Sequence, residues 1–321
     1  MSRVLAVAVA LLLLACPVQG ALAASKRKPV NEFASQEAIL RWINQYRLRP
    51  EPQKLPAAVK AMSELGLFRE LENAGVYVGF MAGVLQSNPD KAEDLVTKMF
   101  PIPPEDQVPI VRAIAYSDLP EWKPLMLKFV ERMPARKGLI DRFVYGKQPT
   151  LKQMALDDGA GPLDMLWGLY FATGSPEPVL RIISILAWSK DKDNVERLTI
   201  GNMAKLSLAT NASRDKGLLD LVKAALNTEN ADTRVVLQEV IDAAETFEFA
   251  RVRKDAMAAI EQLKTKGPQS ARNTQWWGMV GQTALAIGCV AASAMGQVQV
   301  GIPCVVGGAA SGAALKFMSP N

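Results

Sequence analysis

Between about residues 34 and 266 the apolar positions recur at three-, four- and seven-residue spacing, the period of helices buried along one face, with almost no β-type alternation. Ile39, Trp42, Ile43 and Tyr46 share one such face. Ala58, Val59, Met62 and Leu65 form the next, with Gly66 as a stop. Val76, Phe80, Met81, Val84 and Leu85 mark a longer, more buried helix that ends at Ser87-Asn88-Pro89, where Pro89 can open another. Pro103-Pro104-Glu105 starts a helix with Val108, Val111, Ile114 and Ala115 inward. Leu125, Leu127, Phe129 and Val130 mark one that ends near Met133-Pro134. Pro162 then opens a helix from Leu163 to Ala172, closed by Thr173-Gly174. Ser175-Pro176-Glu177 supplies a hydroxyl cap, a first-turn proline and an acid at a helix start, followed by Leu180, Ile183, Ile185 and Leu186. Asp193 or Asn194 caps the next helix, Ser213 or Arg214 begins another, and Asp232-Thr233 starts one carrying Val236, Val240 and Ile241. A last helix runs from about Phe247 to Lys264. About a dozen helices with short linkers predict an all-α domain over residues 34–266, built as an irregular α-solenoid or as stacked helical hairpins.

A weak internal echo supports stacking. Gly79-Phe80-Met81-Ala82 ahead of Asn88-Pro89 is matched by Gly168-Leu169-Tyr170-Phe171-Ala172 ahead of Ser175-Pro176, and Ala115-Tyr116-Ser117 by Ala187-Trp188-Ser189. The offsets, 87 and 72 residues, differ, so no regular repeat array is expected. The stretch Tyr46-Arg47-Leu48-Arg49-Pro50-Glu51-Pro52, the segments Gly79-Phe80-Met81-Ala82-Gly83-Val84 and Asn88-Pro89, and Trp167-Gly168-Leu169-Tyr170-Phe171-Ala172-Thr173-Gly174 together resemble a loose group of uncharacterised bacterial exported all-helical proteins. That resemblance covers most of residues 36–190 and implies a helical fold without implying a chemistry.

Both ends break the helical pattern. Arg3, the apolar run Val4 to Leu14 and the small residues Ala21-Leu22-Ala23 read as a signal peptide, residues 1–23, cut between Ala23 and Ala24. In a competing reading, Leu13-Leu14-Ala15-Cys16 resembles a lipobox with Cys16 lipidated. Residues 24–33 are then a basic flexible tail. At the other end, residues 267–275 read as a linker, and residues 273–315 carry no charge. Trp276 to Gly296 is long enough to span a bilayer, and Trp276-Trp277 suits its interface. A break at Gly296–Gly301 and a second apolar stretch make residues 276–317 a Gly/Ala-rich helical hairpin. Gly288, Ala292 and Gly296, and Gly308 with Gly312, sit at the spacing that lets helix backbones approach. The hairpin either inserts in a membrane or packs on the helical domain or in an oligomer; a single spanning helix agrees less well with the flanking charges. Cys289 and Cys304 flank the break and are natural disulfide partners in an oxidising compartment.

Composition narrows the chemistry. The chain of 321 residues has no histidine, which excludes a Ser-His-Asp triad, a Cys-His dyad and histidine metal or haem ligation. Three cysteines exclude a four-cysteine zinc site. The net charge of +5 falls to +4 when Arg3 leaves with the signal, too small a bias for nucleic-acid binding. No phosphate-binding loop, nucleophile elbow or dinucleotide motif occurs, so no cofactor is expected. Asp157, Asp158 and Asp164 form a weak acidic cluster in a Gly-rich loop, better explained as a turn than as a calcium site. Trp42, Trp122, Trp167 and Trp188, with Tyr46, Tyr116 and Tyr170, are candidates for a peptide- or glycan-binding groove, although core packing is the commoner fate of such rings. The expectation is a non-enzymatic exported scaffold or protein-binding module, periplasmic or in the cell envelope, membrane-associated through its C-terminal segment. The alternatives are a carboxylate-dependent envelope hydrolase and a membrane-perturbing protein that inserts its hairpin.

Overall fold

The computed structural model describes residues 32–69, 74–247, 249–267 and 269. Among them are thirteen α-helices joined by short linkers and 3-10 turns, with no strand. In chain order these are α1 (Gln36–Tyr46), α2 (Leu55–Glu64), α3 (Gly75–Gln86), α4 (Ala92–Met99), α5 (Val108–Ala115), α6 (Trp122–Lys128) and α7 (Lys137–Tyr145). They continue with α8 (Ala160–Thr173), α9 (Pro176–Ile183), α10 (Val195–Ala212), α11 (Lys216–Ala225), α12 (Ala231–Thr246) and α13 (Ala250–Lys266).

The spacing argument places most helices but not all their ends. α1 buries Ile39, Trp42, Ile43 and Tyr46 as the period requires. α7 was not expected, because its buried set of Ile140, Phe143 and Val144 is short and interrupted by Asp141 and Arg142. Leu65, Leu127 and Leu180, expected inward, are exposed. Each lies in or just past the last turns of a short helix, or away from its buried stripe, where no neighbouring helix covers it. Two helix starts also move. α11 is capped by Asp215, whose carboxylate accepts the Leu218 amide at 3.1 Å, and α12 by Asn230, which accepts the Thr233 amide at 3.0 Å. Asn194 caps α10 through the Arg197 amide at 2.9 Å, and Ser175 caps α9, both as the sequence suggested.

The core is organised around two helices far apart in the chain. α3 and α8 are apolar on all sides and buried along nearly their whole length, the pattern of central rather than surface helices. They run in the same direction. A Cβ on Gly75 would meet Asp164 and Gly161, one on Gly79 would meet Met165, and one on Gly83 would meet Ala172. Small residues at four-residue spacing let the two backbones touch, a geometry more familiar in membranes. The matched segments Gly79-Phe80 and Gly168-Leu169 are therefore the two faces of one contact. α1 covers this pair from the side: Phe80 lies 5.1 Å from Trp42 and 5.0 Å from Tyr46, both edge to face.

α10 is a third buried helix, tied to α8 by a hydrogen bond from Trp167 Nε1 to Ser207 Oγ at 3.1 Å. α12, α13 and the 3-10 segment Leu186–Lys190 pack around it. One continuous apolar cluster runs from Phe33 to Leu263. Among the described residues no helix is long and apolar enough to cross a membrane. The expected signal segment, the expected tail up to residue 31, most of the expected linker and the expected 276–317 hairpin lie outside the described residues.

Candidate functional site

A cleft of about 230 Å³ opens where several helix ends meet. The C-terminal ends of α3, α5 and α8 border it at Gln86, Tyr116 and Thr173. The N-termini of α6 and α9 border it at Trp122 and Glu177, and the loop before α8 closes it with Leu151 and Lys152. Helix ends gather here because α3 and α8 run in parallel and stop at the same level, α3 at Ser87 and α8 at Gly174. Gly174 takes a left-handed conformation, φ 67°, which lets the chain turn directly into α9.

The charged groups of the cleft form one chain. Lys152 Nζ lies 2.9 Å from an Asp118 carboxylate oxygen and 3.6 Å from a Glu177 oxygen. The hydrogen bond to Asp118 is the main reason that the Lys152 ammonium is held above its ordinary pKa, with Asp118 and Glu177 charges adding to it. Asp118 itself has φ 54°, a backbone state that aspartate and asparagine tolerate better than other non-glycine residues. The loop that carries Lys152 is fixed from below. Arg181 of α9 donates one guanidinium hydrogen bond to the Leu151 carbonyl and another to the Met154 carbonyl. The aromatic wall is Tyr116, half-buried with its hydroxyl pKa pushed up by burial, and the half-buried Trp122. The site offers ion pairing, cation–π contact and apolar surface, but no activated nucleophile.

The residues singled out from sequence are scattered. Asp157 is buried with an oxygen 3.5 Å from Arg197 Nε, Asp158 is half-buried, and Asp164 has no exposed surface inside α8. Among the described residues no group of three acidic or cysteine side chains is placed to hold a metal ion. The seven aromatics divide in the same way. Trp167 and Tyr170 pack with Phe171 in the core, and Trp188 lies under the Arg197 guanidinium at 5.1 Å. Trp42 and Tyr46 border a separate surface hollow beside Arg41, Arg49 and Lys54. Tyr116 and Trp122 alone of the seven line the cleft. A single groove lined by all of them does not form, because rings at helical spacing on a buried face are consumed by helix packing.

Neither Asp118 nor Lys152 stands out in the sequence, and Glu177 does so only as a helix-start acid. No motif links the three, since the tertiary fold alone brings residues 118, 152 and 177 together. Cys16, Ala23, Ala24, Trp276, Trp277, Cys289 and Cys304 lie outside the described residues. Compared with known proteins, the chain matches no family model, no curated protein and no solved structure.

Proposed function

We propose that this chain is a non-enzymatic helical scaffold of the cell envelope, exported by its N-terminal segment, that binds a protein partner at the cleft beside Tyr116 and Trp122. The observation that carries the reading is a solvent-open cleft at converging helix ends, walled by aromatic, apolar and charged side chains. Helix ends on a rigid core suit recognition, because the contacting groups are held without ordering cost at binding. The reading treats the helices as an irregular stack of hairpins and the uncharged stretch 276–317 as a membrane-held hairpin closed by a Cys289–Cys304 disulfide.

Carbonate extraction of the full chain tests the membrane part. The wild-type chain is expected in the membrane pellet, and a chain carrying Leu285→Lys and Ile287→Lys in the supernatant, since a charge at mid-bilayer costs roughly 3 kcal/mol. Recovery of the wild-type chain in the supernatant sinks the anchor. A photoreactive phenylalanine analogue at position 122 tests the partner part. It is expected to give a discrete crosslinked species in cells, while the same group at the exposed position Val235 on α12 gives none. The same smear or the same blank from both positions overturns the assignment of the cleft.

A further inference from the structure

We propose that the cleft receives a lysine or arginine side chain of the protein partner, and that Lys152 stands in that place while the partner is absent. This rests on the reading of the cleft as the partner site and names the chemistry that it recognises.

Charge points in one direction. Two carboxylates, Asp118 and Glu177, border the cleft against one ammonium, Lys152. The C-terminal ends of three helices and the N-terminal ends of two also face it. Each C-terminus presents a partial negative charge and each N-terminus a partial positive one, so the balance favours a cation. Tyr116 adds a ring face that attracts a cation electrostatically, as the Trp122 ring already does for Lys123 Nζ, 5.6 Å from its centroid. Leu151, Leu169 and Pro178 give an apolar wall of the kind along which the methylene stem of a long basic side chain packs while its charged head reaches the carboxylates. The size agrees. At about 230 Å³ the cleft is below the range of roughly 300–1,000 Å³ usual for drug-sized ligands, and fits one long side chain.

Lys152 already satisfies this description from within the chain. Its head bridges Asp118 and Glu177, yet the side chain is 54% exposed, so the contact is replaceable. Exposed ion pairs of this kind contribute little to stability. Arg181 grips the loop on both sides of Lys152, at Leu151 and Met154, which holds the ammonium at the cleft mouth. A tethered ammonium competes with an incoming one at an effective concentration on the order of millimolar. The partner's basic residue then displaces Lys152, and the loop need not unfold.

Calorimetry on the full chain tests this, with acetyl-Gly-Lys-Gly-amide as probe, its neutral norleucine counterpart, and free cadaverine. The lysine peptide is expected to bind, and Lys152→Met to tighten it up to about fivefold, the worth of one exposed ion pair. The double variant Asp118→Asn, Glu177→Gln is expected to weaken it at least tenfold with only a slight fall in the urea midpoint, because asparagine keeps the positive φ and only the helix-start acid of α9 is lost. Equal binding of the lysine and norleucine peptides by the Lys152→Met chain, or binding of neither, overturns the proposal. Cadaverine binding as tightly as the peptide overturns the protein-borne source. If the peptide fails while the position-122 crosslink persists, the cation reading alone falls; if both are absent, the partner site falls with it.

Discussion

Gly79 of α3 and Gly168 of α8 each lie against the backbone of the other helix, which fills the space that a side chain at either glycine would need. A Cβ on Gly79 would lie 1.9 Å from the Met165 carbonyl oxygen, and one on Gly168 would lie 2.1 Å from the Val76 carbonyl oxygen. The relation is reciprocal: each glycine faces the carbonyl three residues before its counterpart. It is the closest expression of the sequence echo, and it sets the level at which α3 and α8 end and hence where the cleft forms.

Alanine at either glycine must push two backbones apart. Gly79→Ala and Gly168→Ala are each expected to lower unfolding free energy by roughly 3 kcal/mol. The double variant should cost less than the sum, because the first displacement makes room for the second methyl. Gly138→Ala in α7 is the control. Nothing lies within 4 Å of its added Cβ, and it should gain about 0.5–1 kcal/mol from helix propensity. Urea midpoints of the four chains decide the matter; equal effects at positions 79 and 138 would falsify the close approach.

Lys205 of α10 is buried, and its ammonium meets Glu239 of α12 at 2.5 Å and Asp255 of α13 at 2.9 Å. Glu239→Ala leaves a buried cation short of one partner and is expected to cost about 3 kcal/mol. Lys205→Met keeps the volume, leaves Glu239 facing Lys190 and Arg251, and leaves Asp255 open to solvent at 37% exposure, so it should cost under about 1 kcal/mol. Burial by itself raises the Glu239 pKa, but hydrogen bonds and charge from Lys205 and Lys190 outweigh it, and the net shift is downward from 4.5. The contribution is therefore present above pH 4.5 and is lost as pH falls through the lower folded value. The wild-type urea midpoint should drop in that window more steeply than that of Lys205→Met.

Four tyrosines predict the alkaline behaviour. Burial pushes the Tyr46 hydroxyl up to about 12, with Asn88 pulling it partway back. Burial also pushes Tyr170 up to about 12, the Asp215 charge adding to the rise and Arg47 opposing it. Tyr77 and Tyr116 are raised by burial as well. Folded values above the unfolded value of about 10 mean that the folded chain holds more protons, so stability is full below pH 10 and declines towards pH 12. In a Tyr145→Phe chain, which removes the one exposed tyrosine, tyrosinate absorbance should rise together with unfolding rather than ahead of it. Tyr170→Phe should flatten the decline; an unchanged slope counts against burial as its cause.

Asp215 joins three elements. It caps α11, pairs with Arg47 at the end of α1 and accepts a hydrogen bond from the Tyr170 hydroxyl at 3.3 Å. Asp215→Ala removes the cap and both partners at once and is expected to cost roughly 2 kcal/mol. Asp215→Asn keeps the capping oxygen and should cost about half of that. Arg47→Met added to Asp215→Ala should change little, since the pair is already broken. A double-mutant cycle in urea measures the coupling.

The helical class was legible because an apolar stripe every three to four residues has one economical solution, and because Ser175 and Asn194 announce their caps locally. Even the α3–α8 contact left a trace, in the shared Gly79 and Gly168 segments, since close backbone approach demands small residues on both sides. The pairing of those helices was not legible: small residues state that something comes close without stating what. Asp118, Lys152 and Glu177 left no trace at all, because surface charges at unrelated positions carry no period and acquire meaning only when helix ends converge. Local propensity, acting over a few residues, determined the helices. Burial of their apolar faces against partners distant in the chain decided which aromatics became core, which acids met Lys152, and where the cleft opened.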